Sequence, residues 1–210
     1  MTMSSSASVR TEIRVPLRFG DGFACTARVI TFHGLADGRE HLALGLGGSV
    51  PTPLVRLHSE CLTGDVFSSQ RCDCGPQLRE AVERIAASGG YLLYLRQEGR
   101  GIGLYDKIDA YALQDGGLDT YQANRALGRA EDERDYTVAG QMLGALGVRR
   151  LRLLTNNPDK ARQLTELGLD VVEQVPTGVH VSAANLDYLV AKARHGAHVL
   201  DGLPDLERPA

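Results

Sequence analysis

The chain is predicted to fold as an α/β domain: a mostly parallel sheet flanked by helices, with an N-terminal antiparallel β region. Two patterns predict this. Up to about Glu60 the sequence offers only short apolar runs parted by Gly-, Asp- and Pro-bearing turns, whereas after Gly75 apolar strands alternate with amphipathic helices that end in glycine. Length agrees, since 210 residues at 43% hydrophobic can bury a sizeable core.

In the first part, "TEIRVPLRF", "ACTARVITF", "EHLALGLG" and "PLVRLHSE" read as strands of a small antiparallel sheet. "PQLREAVERIAASGG" then sets Leu78, Ala81, Val82 and Ile85 at helical spacing and stops at Gly89 and Gly90. "YLLYLRQ" follows as a buried strand. "ERDYTVAGQMLGALG" is a second apolar-faced helix, "RRLRLLT" a strand, and "NNPDKARQLTELG" a helix with Asn157 as its cap and Pro158 in its first turn. "LDVVEQV" is the next strand and "AANLDYLVAKARHG" a closing helix. There is no linker and no internal repeat. Residues 11–202 are expected to form one domain, with 1–10 and 203–210 as disordered tails.

Net charge is −3, aromatics are 5% and there is no Trp, so neither a basic groove nor a row of stacking platforms for nucleic acid is expected. A small anionic ligand held by a few local Arg and Lys remains compatible. The opening "MTMSSSASVR" has no apolar h-region and no apolar run reaches membrane-spanning length, so a soluble, unsecreted, cytoplasmic protein with no membrane partner is expected.

Three of the four cysteines fall within "CLTGDVFSSQRCDC", residues 61–74. A reducing cytosol favours metal binding or catalysis over a disulfide for such a cluster. Cys72 and Cys74 are too close in sequence for an unstrained bridge, yet side chains two apart on an extended segment point the same way and can grip one ion. Three thiolates with one open position would make a catalytic zinc site; a fourth thiolate from Cys25 would make a closed, structural one. Cys25 lies in the apolar run "FACTARV", where cysteine packs as a small hydrophobe.

In a parallel sheet, ligands bind beyond the carboxyl ends of the strands, which here are the polar loops "HSECLTGD", "EGRGIG" and "NNPDK". "RQEGRGIG" sets Glu98 and Arg100 among three glycines; it reads equally as a phosphate cradle or an ordinary turn, and its spacing matches no P-loop. "EDERD", residues 131–135, reads by itself as a solvated helix start. Of six histidines only His58 is near the cysteines in sequence.

Together, "RLHSECLTGD", "RCDCGPQL", "RQEGRGIGL", "KIDAYALQD", "EDERDYTVAGQML" and "RLLTNNPDK" resemble, in matching order from about Val55 to Leu200, GTP cyclohydrolase II. The region before Thr52 resembles the family only loosely, and the length fits the stand-alone enzyme. The resemblance implies a zinc hydrolase that opens the imidazole ring of GTP. It would release formate and pyrophosphate and leave 2,5-diamino-6-ribosylamino-4(3H)-pyrimidinone 5′-phosphate, the first step of riboflavin biosynthesis. Carried onto this sequence, it implies zinc on Cys61, Cys72 and Cys74. It implies nucleotide binding by Arg56, Leu57, His58, Ser59, Glu60, Gln77, Glu98, Gly99, Arg100, Thr120, Thr155 and Lys160. Asp132 would be a proton acceptor, Arg134 a nucleophile, and Tyr111 part of the ring-opening site. Mg²⁺ would accompany the triphosphate, and the enzyme would be a homodimer. The stretch "QVPTGVHVSAANLDYL" departs from the Asn- and Pro-bearing loop of the family, which bears on substrate positioning rather than reaction type.

Overall fold

The computed structural model describes residues 7–130, 132–182 and 184–185, without the side chains of Thr120 and Tyr121. A single seven-stranded sheet runs through them in the order β1-β2-β3-β5-β4-β6-β7. Strands β1 (Ser8–Arg18), β2 (Ala24–His33) and β3 (Leu42–Leu46) pair antiparallel with one another in sequence, and β3 pairs antiparallel with β5 (Gly90–Leu95). From β5 onward the sheet is parallel, through β4 (Leu54–Ser59), β6 (Arg150–Leu154) and β7 (Asp170–Val175).

The predicted fold class is therefore the observed one, with one correction. The run "PLVRLHSE", expected in the antiparallel region, is β4 and lies between β5 and β6, parallel to both. Its residues explain the placement. Leu54 to His58 are all buried, and a strand covered on both faces belongs at the centre of a parallel sheet. By contrast β1 is an edge strand, mostly exposed, and it begins at Ser8, three residues before the expected start of the domain.

The helices are α1 (Leu62–Asp65), α2 (Cys74–Ser88), α3 (Leu104–Asp115), α4 (Thr120–Ala126), α5 (Thr137–Ala145) and α6 (Pro158–Glu166). One face of the sheet packs on α2 through Ala81, Val82 and Ile85, with Leu46, Leu54, Leu92 and Leu154 beneath them. The other face packs on α5 and α6, where Ala139, Met142, Leu143 and Leu164 cover Val55, Leu57, Leu93 and Leu153. Cys25 sits half-buried in the α2-side cluster, packed as a small apolar group.

Helix boundaries follow local chemistry. Gly89, at φ 80°, ends α2 with its N–H on the carbonyl of Ile85. Asn157 caps α6 as expected, its side chain accepting from the Asp159 N–H at 2.9 Å. Helix α5, expected from Glu133, starts only at Thr137, because Asp135 takes the Thr137 N–H at 2.7 Å and the Glu133 N–H is drawn to the carbonyl of Arg100. "EDERD" is thus no helix start: its described residues, 132–135, form an irregular segment tied to the 98–101 turn. Helices α3 and α4 carry no strong apolar stripe, which is why the sequence pattern did not mark them. The expected closing helix in "AANLDYLVAKARHG" lies outside the described residues except for Ala184 and Asn185, which form a turn.

Candidate active site

Cys61 leaves the end of β4, Cys72 lies in the loop after α1, and Cys74 is the first residue of α2. Their Sγ atoms lie within 4.8 Å of one another, and those of Cys61 and Cys72 are 3.6 Å apart. A tetrahedral zinc with Zn–S bonds of about 2.3 Å places its sulfurs about 3.8 Å apart, close to the Cys61–Cys72 spacing, so the trio needs a closure of at most about 1 Å in its widest pair to hold one ion. The group includes neither Cys25 nor a histidine. All four cysteines are free thiols.

Gly64 makes room for the clip. A Cβ there would stand 2.8 Å from the Cys72 sulfur and 3.1 Å from the Cys61 sulfur. Electrostatics also ask for a cation. Hydrogen bonds from the neighbouring thiols and the nearby Lys107 ammonium hold the Cys61 thiol far below its ordinary value, whereas the bond to Cys61, together with burial, pushes Cys72 up to about 11 and holds Cys74 well above its ordinary value. One thiolate is stable in the trio alone; a bound metal is what lets all three ionise.

The clip forms one wall of a cavity of about 490 Å³ at the carboxyl ends of β4, β5 and β6. This is where a parallel sheet presents ligands, and the volume is that of a small-molecule site. At its floor, buried Arg56 donates to the Gln77 side-chain carbonyl at 2.7 Å and to the backbone carbonyl of Leu154 at 3.1 Å, and Gln77 donates on to Asp73. His58, buried and stacked on Tyr94, is anchored at Nε2 by Asp65 at 3.1 Å; burial lowers its pKa, so the ring is neutral. Ser59 accepts from Gln97 and Glu60 pairs with Arg96 at the rim. Lys160, buried on α6, donates to the carbonyl of Leu57 at 2.7 Å.

The opposite wall is built from two segments locked together. In the turn Glu98–Gly101, both Gly99 and Arg100 adopt left-handed backbone, at φ 61° and 63°. For an arginine that conformation is costly, and it recurs where a site must hold a residue in place. A Cβ at Gly101 would stand 3.0 Å from the backbone of Glu133, so the turn can lie against 132–134 only with glycine there. Asp132 grips the Arg134 guanidinium from two sides, with Nε at 2.8 Å from Oδ1 and a further short contact from Nη2 to Oδ2. Burial raises the Asp132 pKa, but Arg134 and Arg100 outweigh it and hold the carboxyl below its usual range, ionised.

All the residues singled out from the sequence line this cavity, with two exceptions. The Leu57 side chain is buried in the core, and only its carbonyl reaches the site, through Lys160. Thr120 opens α4, and its side chain is outside the described residues. Tyr111 lines the cavity from α3, and burial raises its pKa, so the phenol keeps its proton.

Sequence reasoning missed Lys107, Asp73 and Thr177, all buried and all on the cavity wall. A signal for Lys107 existed, because it stands one helical turn before Tyr111 on the same face of α3. Thr177 gave none: it arrives through the paired amide contacts of Asn156 with its N–H and C=O, and its hydroxyl is buried without a hydrogen-bond partner among the described residues.

The family model for GTP cyclohydrolase II matches residues 8–176. A protein of Vibrio cholerae named GTP cyclohydrolase-2 is 54% identical over 190 residues, covering 89% of this chain and 96% of that one. A Pseudomonas putida protein of the same name is 54% identical over 176 residues, or 81% of this chain and 86% of that one. A solved two-domain 3,4-dihydroxy-2-butanone 4-phosphate synthase from A. baumannii aligns with 85% of this chain and 42% of that one, at 19% identity and a TM-score of 0.44. On the family match and the extent of the shared sequence, the chain belongs to the GTP cyclohydrolase II family of hydrolases.

Proposed function

We propose that this chain is a zinc-dependent GTP cyclohydrolase II. In this reading it converts GTP to 2,5-diamino-6-ribosylamino-4(3H)-pyrimidinone 5′-phosphate, formate and pyrophosphate, as the first step of riboflavin biosynthesis. It acts in the cytoplasm as a homodimer whose working unit is the domain 11–202, and Mg²⁺ accompanies the triphosphate. The observation that carries the reading is the pairing, within one cavity, of a three-sulfur clip with a set of guanidinium and ammonium groups. Relatives named GTP cyclohydrolase-2 support the choice of nucleotide. Among the described residues no helix is long and apolar enough to cross a membrane.

Cys61, Cys72 and Cys74 would hold the zinc, which when bound supplies a Lewis acid able to bring the pKa of water down to about 7. The protein's own groups do the rest. Arg100 and Lys160 bind the triphosphate, offering charge and fixed donors to the leaving pyrophosphate. Tyr111, protonated and close to the clip, positions the purine and donates a proton as the ring opens. Arg56 and Gln77, locked to one another, fix the floor against which the base is seated.

Arg134 acts as a clamp on the transferring phosphate and Asp132 as its orienter. A carboxylate whose pKa is held below its usual range is too weak a base to take the proton of its guanidinium partner, since arginine stays protonated to a pKa above about 12. This favours electrostatic stabilisation over nucleophilic attack by Arg134.

Purified protein given GTP and Mg²⁺ should yield formate, pyrophosphate and the diaminopyrimidine in equal amounts; no turnover at full zinc loading, or a product heavier by one formyl unit in mass spectrometry, would contradict the proposal. Cys72→Ser and Gly64→Ala should each lose zinc by metal analysis, the second because a methyl cannot fit between the sulfurs, while Cys25→Ser keeps the full complement. For Arg134→Ala we expect pyrophosphate release to slow by about 10²- to 10³-fold. Quenching wild-type turnover of α-phosphate-labelled GTP in alkaline denaturant, in which an N–P bond survives, should leave no label attached to protein; covalent label that Arg134→Ala abolishes would identify Arg134 as the nucleophile after all.

A further inference from the structure

We infer that Lys107 is a positioning residue of the sulfur clip. Through an N–H···S bond to Cys61 its ammonium draws electron density from that sulfur and restores Lewis acidity to the metal it holds. The inference deepens the function proposed above and rests on it.

The need for such a group follows from charge. A dication on three thiolates carries a net charge of −1, and electron-rich sulfur donors leave the metal a weaker acid than imidazole ligands do. Lys107 answers that need. It is 8% exposed, which a lysine tolerates only when paired. An ammonium has three protons and no acceptor. Here each finds a partner, with Nζ 2.8 Å from Glu98 Oε1, 3.0 Å from Thr63 Oγ1 and 3.1 Å from Cys61 Sγ.

This saturation commits Lys107 to the protein. It lines the cavity, yet its donors are spent on the protein, so it acts on the sulfur and not on the nucleotide. Its anchor is equally committed. The Oε1 of Glu98 also accepts from the Gly99 N–H at 3.0 Å, and Oε2 accepts from the Leu62 N–H at 2.7 Å. Glu98 thus brackets the residue after Cys61, the 98–101 turn and Lys107 into one unit. The Lys107 side chain is held by a carboxylate on one side and presented to a sulfur on the other, the arrangement by which outer groups tune metal ligands.

The test uses full-length protein loaded with Co²⁺, whose sulfur-to-metal charge-transfer band reads the donor strength of the thiolates directly. Lys107→Met should move the band to longer wavelength, Lys107→Gln by less, and Lys107→Arg should stay near the wild-type position. In the zinc-loaded proteins, Lys107→Met should lower kcat by about 10- to 100-fold and leave the KM for GTP within about twofold, since Lys107 makes no substrate contact. If Lys107→Met does not fold, the bands of the Gln and Arg variants must still differ. Coincident bands across the metal-loaded series, or a KM raised tenfold with kcat unchanged, would overturn the inference. A wild-type protein that takes up no metal or turns over no GTP would instead overturn the proposed function beneath it.

Discussion

Three cysteine sulfurs within 4.8 Å of one another, in a largely buried corner, are an electrostatic problem before they are a binding site. Ionised together they repel, and burial penalises each charge, so the trio is stable as a set of thiolates only with positive charge on it. The molecule supplies part of that charge through Lys107, and the N-terminus of α2, where Cys74 sits, presents the positive end of a helix dipole. A divalent ion would supply the remainder. The surrounding architecture follows from the same constraint: the glycine against the sulfurs, the buried ammonium and its carboxylate anchor are hard to account for in a corner meant only to pack.

The sheet turns this local chemistry into a site. Because β4 is buried at the centre of the parallel half, the residues after Ser59 emerge where the chain has neighbours on both sides, β5 carrying the 98–101 turn and β6 carrying Thr155 to Lys160. Three loops distant in sequence therefore converge over one strand end. The left-handed turn at Gly99 and Arg100 then folds onto 132–134, which brings Arg100 beside the Asp132–Arg134 pair. Backbone geometry thus brings the segments that carry Arg100 and Arg134 to the same wall of the cavity.

Much of this could be read from the residues alone, and the parts that could not share a physical cause. Strands β5 and β6 were legible as short apolar runs buried on both faces, and helices α2 and α6 because one face of each is buried against the sheet. The direction of β4 was not, since a six-residue strand with Leu54, Val55 and Leu57 among polar residues is compatible with either kind of sheet and only its partners decide. Helices α3 and α4 were illegible because they cover the site more than the core and so lack a stripe. "EDERD" misled for a related reason: charge at a helix start is the ordinary case, and a tertiary hydrogen bond from Glu133 to Arg100 overrides it. The sulfur clip was visible from spacing and redox reasoning, and helical spacing from Tyr111 could have pointed to Lys107, but the partners that saturate its ammonium and the placement of the Thr177 hydroxyl depend on contacts between distant segments.

The most direct measurement of the three-sulfur clip is X-ray absorption at the zinc edge of the purified, metal-loaded protein. Three sulfurs at about 2.3 Å and one lighter oxygen or nitrogen scatterer are predicted, with the lighter position perturbed when a GTP analogue is added. A first shell of four sulfurs, or one that contains imidazole, would contradict it and would make the ion a structural plug with no place for water.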